Sequence, residues 1–92
     1  MKVILFNKKK SLEKIGLSED SFCRYREVKE YDTGDIVVRT RENGVNGISE
    51  DAIKSEFYMG RINDLWDSTY AYYFFRLDRN KELYEACRAE YE

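Results

Sequence analysis

Residues 68–78 read STYAYYFFRLD, and five of these eleven residues are aromatic. Read as a strand, the stretch alternates. Ala71, Tyr73, Phe75 and Leu77 fall on one face, and Tyr70, Tyr72, Phe74 and Arg76 fall on the other. The first set is apolar throughout and predicts core. The second set joins three rings to a guanidinium, and something has to cover it. The candidates are a helix of the same chain, a partner protein, or stacked bases. Which of them covers that face decides both the layering of the fold and the surface of action.

On the C-terminal side, Asp78, Arg79 and Asn80 open a last helix. Its predicted apolar stripe is Leu83, Ala86, Cys87 and Tyr91, and this stripe is the intramolecular candidate for covering the rings. On the N-terminal side, Ser49 caps a helix with Glu50 and Asp51 in the first turn, where the helix dipole favours acids. Ala52, Ile53, Phe57 and Gly60 share a face of that helix, which frays at Gly60 or runs on towards Leu65. Asn43, Gly44, Val45, Asn46 and Gly47 form a loop. IVVRT (36–40) is the clearest strand by propensity. FCRYREVKEY (22–31) suits either a helix or a strand. The turn that follows, with Gly34, favours a hairpin and therefore a strand. VILF (3–6) is a short apolar run that predicts a central strand buried on both faces. Ser11 is the predicted cap of a short helix that carries Leu12 and Ile15 inward and stops at Gly16.

The resulting order is β-α-β-β-α-β followed by a helix. It predicts a small α+β two-layer sandwich with ferredoxin-like order and an extra C-terminal helix. The alternative is a three-stranded antiparallel sheet with residues 18–31 helical. The RNA-recognition motif shares the ferredoxin-like order, but its aromatic signature belongs on the third strand. Here the third strand, 35–40, carries no ring, so the likeness ends at element order.

Ninety-two residues predict a single domain, 1–92, with one small core. The apolar share of 42% is too high for a disordered chain, and the charged share of 37% is too high for a membrane protein. Residues 1–46 carry a net charge of +2 and residues 47–92 a net charge of −4. That balance argues against duplex-DNA binding driven by phosphate neutralisation. With no His, the usual general base and the commonest metal ligand are missing. Cys23 and Cys87 form no CxxC pair, and two reduced, buried thiols are expected. No signal-peptide pattern and no apolar stretch of transmembrane length is present, which predicts a cytoplasmic protein.

Four groups of residues are candidates for function. Tyr70, Tyr72, Phe74 and Arg76 are of the types enriched at protein interfaces and form the expected partner-binding face. Lys8, Lys9, Lys10 and Ser11 form a weaker candidate for anion binding at a helix start. Asp64 and Asp67 flank Trp66, but they lack the ligand count and glycine spacing of a calcium loop, so no metal is expected. Trp66 itself is expected in the core. Glu50, Asp51, Glu56, Asp64, Asp67, Glu82, Glu85, Glu90 and Glu92 give the second half an acidic surface suited to a basic partner.

Neither cysteine has a His to activate it, so no enzyme and no cofactor are expected. The leading expectation is a non-enzymatic domain acting by protein–protein contact, with a host protein or with itself. In size, ring content and acidity it looks like the small accessory proteins of phages and mobile elements, including inhibitors of host defence. That likeness is one of composition and covers no motif. The other expectation is a nucleotide or single-stranded nucleic-acid binder that uses Tyr70, Tyr72 and Arg76 with the lysines at 8–10.

Overall fold

The computed structural model describes residues 2–5, 8–17, 25–41, 47–78 and 80–92, leaving aside the side chains of Leu5 and Lys8. Among these residues, five strands and three helices follow one another as β1 (Val3–Leu5), α1 (Lys8–Lys14), β2 (Glu27–Tyr31), β3 (Asp35–Arg41), α2 (Glu50–Ile53), β4 (Tyr58–Asn63), β5 (Tyr70–Arg76) and α3 (Lys81–Ala89). The strands form one antiparallel sheet in the order β1-β2-β3-β5-β4. The fold is α+β, as expected, but its strand order is not the ferredoxin-like one. The aromatic strand β5 lies inside the sheet, between β3 and β4.

Three expectations about elements change. The helix after Ser49 has the predicted cap, the Ser49 hydroxyl accepting from the Ala52 amide at 3.2 Å, but it ends after Ile53. Residues 58–63, expected to prolong it, form β4. An interior glycine and a β-friendly sequence, YMGRIN, favour pairing with β5 over another turn of helix. The first strand is at the edge, with Ile4 56% exposed. The described strand, Val3–Leu5, is three residues long and pairs with β2; Phe6, the last residue of the predicted run, lies outside the described residues. Residues 27–31 are strand, which sets aside the three-stranded alternative for that part; residues 18–24, Cys23 included, lie outside the described residues, as do 43–46 of the predicted loop.

The layering also differs from a two-layer sandwich. On one face of the sheet, Val28, Ile36, Val38, Ala71, Tyr73 and Phe75 pack with Leu12, Ile15 and Leu17 at α1 and with Ala52 of α2. On the other face, Tyr31, Val37 and Phe74 pack with Tyr84 and Cys87 of α3, and Tyr72 and Tyr91 join them at the margin. The sheet is therefore the middle of three layers. α3 turns on Asn80, whose side chain accepts from the Leu83 amide at 3.2 Å. Its inward side is Tyr84 and Cys87, both buried, with the half-buried Tyr91 just beyond the helix; Cys87 and Tyr91 were expected there, but Leu83 and Ala86 are exposed and Tyr84 takes their place. The Tyr84 ring meets Phe74 edge-on at 5.8 Å, and Tyr91 meets Phe74 edge-on at 5.4 Å.

Two local features let α3 sit so close. Gly60 in β4 has φ 141° beside a bulge, and a Cβ there would lie 3.1 Å from the Tyr84 hydroxyl. That hydroxyl donates to the Met59 carbonyl at 3.3 Å. Beneath the helix, Arg76 is fully buried and ion-paired to the equally buried Asp35. It also donates to the Thr33 carbonyl at 2.7 Å and pairs with Asp78 at 2.7 Å. The Cys87 thiol is free and buried. Burial first, and then the Asp35 carboxylate beside it, push the thiol up to about 12, so it stays protonated and unreactive at neutral pH.

Replacing Asp35 with Ala leaves the buried Arg76 charge with the half-exposed Asp78 as its remaining ion-pair partner among the described residues. The expected cost is about 3–5 kcal/mol, a large part of the whole stability of a small domain. The double variant Asp35→Leu/Arg76→Met removes both charges and is expected to cost less than Asp35→Ala alone. Urea denaturation midpoints of the three proteins check the order. A small effect of Asp35→Ala, under about 1 kcal/mol, contradicts it.

Candidate functional site

The expected partner-binding face divides under α3. Phe74 and Arg76 have no exposed surface and belong to the interior. The reason is physical: the Phe74 ring gains by leaving water under a capped amphipathic helix, and the desolvation cost of Arg76 is offset by Asp35 and the Thr33 carbonyl. Tyr72 is half-buried, its ring 4.6 Å from that of Tyr91. Tyr70, also half-buried, carries the Arg39 guanidinium at 4.5 Å and that of Arg41 at 5.6 Å from its ring centre. The open part of that face has narrowed to Tyr70 and Tyr72.

The lysine cluster does not join them. Lys8, Lys9 and Lys10 are the first turn of α1, not a loop, and α1 packs on the opposite face of the sheet. Ser11 lies inside the helix and not at its cap. It is buried and its hydroxyl donates to Glu30 Oε1 at 3.0 Å. Lys14 closes on the same carboxylate at 2.7 Å. Ser11 is therefore committed to the core side of α1 and is turned away from any anion at its start.

The largest departure is at the β4–β5 turn. Trp66, expected in the core, is 95% exposed, and Leu65 beside it is 77% exposed. Water does not select such a pair, since each ring or branched chain gains by leaving it. The backbone around them explains how they are held out. The Asp64 side chain is buried, and its Oδ1 accepts from the amides of Trp66 at 2.8 Å and Asp67 at 3.3 Å. Its Oδ2 takes the Arg39 Nε at 2.7 Å. Asp67 Oδ1 accepts from the Thr69 amide at 3.0 Å and from the Thr69 hydroxyl at 2.7 Å. The strands close behind the turn through Asp64 N–H to the Tyr70 carbonyl and Tyr70 N–H to the Asp67 carbonyl. Both aspartates are thus spent on building the turn, and the apolar pair stands at its tip.

The electrostatics follow the same bonds. Burial opposes ionisation of Asp64, but the Trp66 amide and the Arg39 guanidinium outweigh it and hold the carboxyl below its ordinary value. The Thr69 hydroxyl and amide do the same for Asp67. Beside the tip, a groove of about 330 Å3 runs between Trp66 and the end of α3, with Tyr72 and Tyr91 in its wall and Glu90 and Glu92 at its rim. Among the described residues no cluster of side chains is arranged to hold a metal ion, and no helix is long and apolar enough to cross a membrane.

Neither a protein-family model, nor a curated protein, nor a solved structure matches this chain. The Leu65–Trp66 tip was within reach of sequence reasoning through the stretch DLWDST (64–69). Asp, Ser and Thr accept from backbone amides two or three residues on, and this competes with helix. An apolar pair set between two such residues is an apolar pair on a turn.

The folded-state pKa of Asp64 lies below its unfolded value of about 3.8, so its contribution to stability is complete above that value. It is lost as pH falls through the lower, folded value. Asp64→Asn keeps an acceptor for the turn but loses the ion pair with Arg39, at an expected cost of about 1–3 kcal/mol at neutral pH. The variant should also lose the part of the acid-induced loss of stability that Asp64 carries. Urea midpoints across an acid titration, with the Trp66 amide resonance as local reporter, measure both.

Proposed function

We propose that the protein is a small protein-binding domain that works by contact, without catalysis, and that the Leu65–Trp66 tip is its anchor. The observation that carries this is the 95% exposure of Trp66 on a turn whose backbone is fixed by a buried, ion-paired aspartate. Trp is the residue type most often found at the energetic centre of interfaces. A backbone already held in place loses little freedom on binding, which raises affinity for a given area. Tyr70 and Tyr72 extend the surface along the sheet, and the carboxylates near the tip suit a partner with a basic rim around an apolar pocket. A chain of this kind acts by occupying its partner's surface, as inhibitors directed by mobile elements at host proteins do.

The nucleic-acid reading has less support. It needs Arg76 and the lysines at 8–10 beside Tyr70 and Tyr72. Arg76 is committed to Asp35, and α1 lies on the other side of the sheet.

The test compares affinity capture by wild type and Trp66→Ala from cells in which the protein occurs, followed by reconstitution with the purified partner. Trp66→Ala should keep the wild-type urea midpoint, because little of the side chain is buried. Its affinity should fall by about 30-fold or more, as for a hot spot of about 2 kcal/mol. Light scattering covers self-association: a wild-type dimer that Trp66→Ala dissociates makes a second copy the partner. Unchanged binding by a folded Trp66→Ala protein rejects the proposal.

A further inference from the structure

The groove beside the tip has a lining that is unusual for an apolar contact. Three rings, Trp66, Tyr72 and Tyr91, share it with three carboxylates, Asp64, Glu90 and Glu92. The carboxylates are not equivalent. Asp64 is matched by Arg39 at 2.7 Å, and Glu92 is ion-paired with Arg88 at 3.2 Å. Glu90 is exposed and makes no ion pair with any described residue. It stands just beyond the last turn of α3, the end of a helix that favours positive charge. Aromatic faces attract cations, and they do so best when a neighbouring carboxylate supplies the counter-charge. At about 330 Å3 the space is at the small end for an organic ligand and suits one long side chain.

We infer that this groove takes an arginine side chain of the partner protein, its guanidinium against the rings of Trp66 and Tyr72 and facing Glu90. The inference rests on the reading that the Leu65–Trp66 tip binds a protein, and it adds the partner's chemistry: an arginine next to the apolar pocket that receives the tip. Arginine fits better than lysine because its flat guanidinium stacks on rings while its edge bonds a carboxylate, which an ammonium cannot do at once. Arg39 does not pre-empt the site, since its own charge is held by Asp64.

The experiment is an NMR titration of the whole chain with N-acetyl-arginine methylamide, beside its neutral citrulline counterpart and its lysine counterpart. Trp66 is the single Trp of the chain, so its indole N–H reports without ambiguity. A saturable shift of that signal and of the Glu90 and Tyr91 amides is expected, in the millimolar range proper to one side chain. Citrulline should bind at least about tenfold more weakly, and Glu90→Gln should weaken arginine by about threefold while leaving the urea midpoint unchanged. No saturable shift, equal binding of citrulline, or tighter binding of lysine overturns the inference. If the arginine probe fails while Trp66→Ala still abolishes partner binding, the groove is not the arginine site and the docking reading stands. If the probe binds while partner binding ignores Trp66→Ala, the docking reading falls, and the partner half of this inference falls with it.

Discussion

The buried ion pair between Arg76 and Asp35 is the constraint on which the layering turns. The two residues face each other across the β3–β5 ladder. Arg76 reaches the β2–β3 turn through Thr33 and the connection to α3 through Asp78. One guanidinium therefore ties together three places in the chain: the turn that sets the first hairpin, the central strand pair, and the departure of the last helix. Two charges without exposed surface are costly to desolvate, and the pair is tolerable only while α3 excludes water and Asp35 stays in register. That couples the outer helix to the register of the sheet. A slip of β5 by one residue would carry Arg76 to the opposite face, among Ile36 and Val38 of β3, and leave Asp35 unmatched beneath the helix.

The same coupling explains what could and could not be read from the sequence. Alternation along 70–76 correctly separates Tyr73 and Phe75 from Tyr72 and Phe74, because period two is a property of extended backbone and needs no tertiary knowledge. The Ser49 cap and the β2–β3 hairpin were equally local and equally legible. The covering of the second face depends on α3 docking across the sheet, and its stripe was legible only in part: Cys87 and Tyr91 face the sheet as expected, but Tyr84 stands where Leu83 and Ala86 were expected. Leu83 reads as more apolar than Tyr84, yet Tyr84 is the residue placed to fill the space left by Gly60 and to bond the Met59 carbonyl. β4 was missed for a related reason. Its residues are almost all half-buried and show no alternation of burial, so the strand becomes recognisable only through its pairing with β5.

Trp66 shows a different limit. Frequency favours burial of a tryptophan, and in this chain frequency misleads. The exception is enforced by backbone bonds: Asp64 and Asp67 spend their acceptors on the turn, and an amide bonded to Asp64 cannot take part in the helix that would have folded Trp66 inward. The exposed ring brings the fold no burial, so its place is not explained by stability. Arg39 links this turn to the rest of the molecule, because one arginine in β3 both holds Asp64 and lies on the Tyr70 ring. The tip is therefore built on the sheet through a strand that is itself fixed, at its other end, by Asp35 and Arg76. A turn mounted in this way keeps its backbone geometry without a partner present, which is what the proposed role of the tip as an anchor requires.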